Sequence, residues 1–70
     1  MKVIVNGEEV IIFRGATVSD AVRNYSEKLF RQLKKGELII TDRFGNLTEP
    51  DGELTEGEIL ILTITKSSSL

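Results

Sequence analysis

Five carboxylates crowd one short segment: Glu49, Asp51, Glu53, Glu56 and Glu58. Oxygen ligands at that density can in principle hold a hard cation such as Ca²⁺ or Mg²⁺. The spacing is not that of an EF-hand loop, and Pro50, Gly52 and Gly57 give the same stretch a simple turn reading. A solvated acidic loop is therefore expected, with no metal and no cofactor. Five cations form a second set: Arg23, Lys28, Arg31, Lys34 and Lys35, on the outer side of a predicted helix and diluted by Asp20 and Glu27. They suit contact with an anionic partner, but no aromatic residues are interleaved with them for base stacking. A net charge of −2 and a pI near 5.0 also speak against a dedicated nucleic-acid binder. The plainer reading is a solvated helix face, with Glu27 and Arg31 paired at i,i+4. Cysteine and histidine are absent, which removes thiolate catalysis, disulfides, Cys/His metal sites and imidazole acid–base chemistry. With 70 residues there is no room for a cleft framed by two lobes, and no enzyme is expected.

The elements that would position these groups follow from local pattern. Val3-Ile4-Val5 and Val10-Ile11-Ile12-Phe13 flank Asn6-Gly7, and Asn-Gly between β-rich runs predicts a hairpin with a type I′ turn. Thr17 is a good N-cap, with Asp20 three residues on as a capping-box partner. Val18, Val22, Tyr25, Leu29 and Leu33 then recur at helical spacing, and Gly36 suits the residue after the helix. One helix is expected from Val18 to about Lys35. Leu38-Ile39-Ile40-Thr41 predicts a third strand, Leu47-Thr48 a short one between turns, and Ile59 to Ile64 a nearly uninterrupted apolar strand. The order closes most simply as an α+β ubiquitin-like β-grasp. It would have a mixed four- to five-stranded sheet and one helix packed on one face, with the first and last strands central. Residues 1–65 would form that single domain and 66–70 a polar C-terminal tail. No signal peptide and no membrane-length apolar run is read, so a cytoplasmic protein is the expectation.

Asn6-Gly7-Glu8, Gly15-Ala16-Thr17-Val18-Ser19-Asp20-Ala21-Val22, and Leu54 with Gly57-Glu58-Ile59 carry a resemblance. The chain resembles the ubiquitin-like β-grasp proteins of the ThiS/MoaD kind, with the TGS domain as a near relative. The likeness spans roughly residues 1–65 and consists mostly of turn and cap chemistry. It implies the β-grasp fold and, by one alternative, a divergent sulfur carrier in thiamine or molybdopterin biosynthesis. By another it implies a TGS-like RNA-contacting or regulatory module. Carrier chemistry in that family rests on a C-terminal Gly-Gly, whereas this sequence has no Gly-Gly pair and no glycine after Gly57.

The remaining signal is a surplus of apolar strand residues, 40% of the chain being hydrophobic. One helix covers one face of a sheet. If Val3, Val5, Val10, Ile12, Ile59 and Ile61 turn towards it, then Ile4, Ile11, Phe13, Leu60 and Leu62 turn outward, with Ile64 beside them. A contiguous exposed cluster of Ile, Leu and Phe marks an interaction surface. The expectation is a non-catalytic protein-interaction module that binds a protein partner, or a second copy in a twofold homodimer, through Ile4, Ile11, Phe13, Leu60 and Leu62.

Overall fold

The Asn6-Gly7 turn sets the first pairing in the computed structural model, which describes residues 1–65. Both turn residues take the positive φ that a type I′ turn demands, 51° at Asn6 and 82° at Gly7. The turn joins β1 (Lys2–Val5) to β2 (Glu8–Ile11) in antiparallel register, Val5 opposite Glu8 and Val3 opposite Val10. Pairing runs one step further, because Met1 and Ile12 exchange two backbone hydrogen bonds of 2.8 Å.

Thr17 caps α1 (Val18–Tyr25) with the full capping box: its side chain accepts from the Asp20 N–H, and the Asp20 carboxylate accepts from the Thr17 N–H at 3.0 Å. Val18, Ala21 and Val22 face the core. The expected single helix is interrupted. Ser26 is extended and serves two ends at once: its N–H closes α1 on the Val22 carbonyl, and its Oγ accepts from Leu29 N–H at 3.3 Å to start α2 (Glu27–Lys34). A serine side chain competes well for backbone donors, and here it caps rather than continues the helix. The break redirects the chain. α1 packs on β1 and β2, while α2 reaches β3 (Leu38–Thr41) with half-buried Leu29, Phe30 and Leu33. Two short helices thus span a sheet that one straight helix would cover less evenly.

The sheet is mixed, with strand order β2-β1-β4-β3. β4 (Ile59–Ile64) lies parallel to β1, with Ile4 beside Ile59 and Val5 beside Leu60, and antiparallel to β3, with Ile40 opposite Leu62. The first and last strands are central, as their apolar content implies. Asn6 secures that junction from the hairpin turn: its N–H donates to the Leu60 carbonyl at 3.0 Å, and its side-chain oxygen accepts from Leu62 N–H at 2.8 Å. Leu47-Thr48 does not build a fifth strand; it makes an isolated bridge to Thr41 on the outer edge of β3. The loop of Pro50 to Leu54 is tied to the start of α1, since Ser19, Val18 and Leu54 N–H groups donate to Pro50, Gly52 and Ala16 carbonyls. The core lies between the helices and the inner face of the sheet, with Val3, Val5, Val22 and Leu60 fully enclosed. Among the described residues no helix is long and apolar enough to cross a membrane. The expected tail, 66–70, lies outside the described residues.

Candidate interaction surface

Side-chain parity on each strand decides what the outward face presents. On β1, Val3 and Val5 are buried, so Lys2 and Ile4 turn outward; on β2, Val10 is buried and Glu9 and Ile11 turn outward. On β3, Leu38 and Ile40 are buried, which sends Ile39 and Thr41 out. β4 follows from its parallel partner. Leu60 stands beside buried Val5 and is itself 0% exposed, so Ile59, Ile61 and Thr63 occupy the outward face.

That result corrects two of the five residues expected on the surface. Leu60 belongs to the centre of the core, and Leu62 is half-buried against it on the same inner face. Ile59 and Ile61, expected inside, are outside. The cause is register: an apolar run of alternating Ile and Leu reads the same in either parity, and a one-residue shift exchanges the faces. Thr63 is the signal that settles it, because the lone polar residue of the strand belongs on the solvent side, and Ile59 and Ile61 share its parity. Lys2, Glu9 and Thr41 mark the outward side of the other strands in the same way. Of the remaining expected residues, Ile4 is half-buried on the outward face beside Ile59, and Ile11 is 69% exposed there. Phe13 is 63% exposed but lies beyond the end of β2, in a hollow of about 300 Å³ shared with Asp20, Arg23, Asn24 and Glu27 of the helices. It belongs to the flank of α1 rather than to the open face.

The outward face is therefore an isoleucine surface: Ile4, Ile11, Ile39, Ile59 and Ile61, with Ile61 at 42% exposure on a central strand. Its polar members sit to one side or carry methyl groups of their own. Lys2 and Glu9 pair with each other at 3.4 Å, and Thr41 and Thr63 lie across from Ile61 and Ile39. β-branched side chains are stiff and pack well on a pleated surface, so this face is preformed.

The cationic set divides. The Arg23 guanidinium and the Lys34 ammonium stand over the Phe30 ring, 5.7 and 5.4 Å from its centre, and Arg23 also approaches Glu27 at 3.9 Å. The pairing thus joins Arg23 to Glu27 rather than Glu27 to Arg31. Lys28, Arg31 and Lys35 are exposed, with no ion pair among the described residues. The acidic segment does not converge either. The Glu56 carboxylate accepts from Lys2 N–H, and that of Glu58 accepts from the Thr55 hydroxyl at 2.9 Å. Among the described residues no three acidic groups come together to hold a metal ion. Asp42 is the one carboxylate with a distinct environment. The Asn46 N–H, and then that of Phe44, donate to it at 3.0 and 2.8 Å, which holds its pKa below the ordinary value of 3.8. That carboxylate organises the turn after β3. A shallow apolar groove of about 300 Å³ lies between Leu33 of α2, β3 and the Leu47–Pro50 stretch, away from the isoleucine face.

No protein-family model matches this sequence, and comparison with curated proteins gives no significant match.

Proposed function

We propose that this chain is a non-catalytic, ubiquitin-like β-grasp module that docks its open sheet face onto a partner protein. The β-grasp reading is supported by a β-hairpin followed by helix, a parallel pairing of the first and last strands, and helices on one side of the sheet. The docking reading rests on one observation: five outward isoleucines spread over all four strands. Single exposed apolar residues are ordinary, but a contiguous patch of stiff side chains on a rigid sheet is what a desolvating partner requires. The partner is expected to offer a complementary apolar surface, with polar contacts at the rim around Lys2, Glu9 and Thr41.

The test is to recover a partner on the immobilised chain, purify it, and measure its affinity for variants. Ile61→Lys and Ile39→Lys should each weaken binding by roughly tenfold or more, as central contacts do. Arg31→Glu combined with Lys34→Glu on the helix should leave it nearly unchanged. The opposite pattern, with binding lost on the helix variant and retained on the face variants, would replace the sheet face by the cationic helix.

A further inference from the structure

The two edges of the sheet differ. The edge of β3 is partly closed, because Thr48 N–H donates to the Ile40 carbonyl at 2.9 Å and Asp42 N–H to Asn46 at 2.9 Å. The edge of β2 is open. Antiparallel pairing alternates between residues that bond the neighbouring strand and residues that do not. Ile12 bonds Met1, and Val10 and Glu8 stand opposite Val3 and Val5 in the same phase. Glu9 and Ile11 therefore direct their N–H and C=O groups away from β1, and these groups have no backbone partner among the described residues. An open edge carrying an Ile that is 69% exposed is a template for another strand.

The sequence of that edge says which strand fits. Glu8-Glu9-Val10-Ile11-Ile12-Phe13-Arg14 is negative at one end, positive at the other and apolar between. Run antiparallel against itself with Ile11 opposite Ile11 of a second copy, it sets Glu8 level with Arg14 of that copy and Glu9 level with its Phe13. Both Glu8 and Arg14 are exposed and lack an ion-pair partner within the chain, among the described residues. The other two registers that match the free groups do worse. Centring on Glu9 sets like charges face to face, and centring on Val10 leaves Glu8 against Ile12 of the second copy.

We infer that the free edge of β2 pairs antiparallel with the same edge of a second copy of this chain, in the register centred on Ile11. The pair is isologous about a twofold axis through the sheet. It joins two four-stranded sheets into one of eight, with both sets of helices on the same side and the two isoleucine faces continuous. Glu8 and Glu9 discourage promiscuous edge pairing, while the Glu8–Arg14 match admits this register. The inference is independent of what the open face binds, because it uses backbone groups at the edge.

Sedimentation equilibrium of the full chain over a wide concentration range tests it. The expected mass rises from 7.8 kDa towards twice that value. Arg14→Glu, which turns two symmetric attractions into repulsions, should raise the dissociation constant by roughly tenfold. Glu8→Arg combined with Arg14→Glu should restore it, and Ile11→Lys should abolish the dimer while circular dichroism remains native. Ile61→Lys, on the open face, should leave the dimer intact. A chain that stays monomeric at millimolar concentration overturns the inference. So does a dimer indifferent to Arg14→Glu, one that the charge swap does not rescue, or one that Ile61→Lys removes.

Discussion

Leu60 and Ile61 are neighbours with opposite fates, and their substitution separates core from surface. Leu60→Ala deletes about three carbon atoms from a fully enclosed side chain beside Val5. At about 0.8 kcal/mol for each buried carbon, the transfer loss is roughly 2.4 kcal/mol. A residual cavity of about 50 Å³ adds roughly 1.2 kcal/mol, for a sum of 3–4 kcal/mol. A domain of this size holds about 3.5–10 kcal/mol in total, so the variant sits near the edge of folding. Ile61→Thr keeps the β-branch and the strand preference and removes apolar surface already 42% exposed. Its effect is expected below about 1 kcal/mol. Urea unfolding followed by circular dichroism reads both, and the midpoints should differ several-fold in displacement with similar slopes. Equal losses, or a larger loss for Ile61→Thr, would refute the parity assigned to β4 and with it the composition of the outward face.

Two further outcomes follow from single groups. Asn6→Gly loses the bond to Leu62 N–H but keeps a residue at ease at φ 51°, and should destabilise by about 1 kcal/mol. Asn6→Ala adds left-handed strain and should approach about 2 kcal/mol, so the order Ala worse than Gly in thermal unfolding checks the turn. For Asp42, the folded pKa lies below 3.8, so its contribution to the turn is complete above that value and is lost as pH falls through the depressed pKa. The amide resonances of Phe44 and Asn46 should titrate with a midpoint below 3.8; a midpoint at or above it would show that the two N–H groups do not hold the carboxylate.

Most of the architecture was legible from residues. Asn6-Gly7 announced the hairpin, Thr17 with Asp20 the start of α1, and the apolar density of the last strand its central place. Two features were not read correctly, each for a definite reason. The helical stripe from Val18 to Leu33 is periodic enough to imply one helix, because periodicity records which side is apolar and not whether the backbone is continuous. Ser26 breaks it through a cap that competes locally with the helix. The outward face was misassigned on β4 because Ile and Leu are equally apolar, so only Thr63 distinguishes the sides and only the pairing of Val5 with Leu60 fixes them. Ile39 went unassigned for a similar reason, its parity depending on Thr41. The surplus of apolar strand residues nevertheless pointed to an open face, and that face exists with different occupants on its central strand.

Isoleucine methyl groups offer the most direct view of what the face does, since they line it and also occur in the core. A chain labelled at its isoleucine δ1 methyls, titrated with the purified partner, should show shifts at Ile4, Ile39, Ile59 and Ile61 while those of buried Ile12 and Ile40 stay in place. Perturbations that bypass these methyls and gather instead on the amides of α2 around Lys28 and Arg31 would contradict docking through the sheet face.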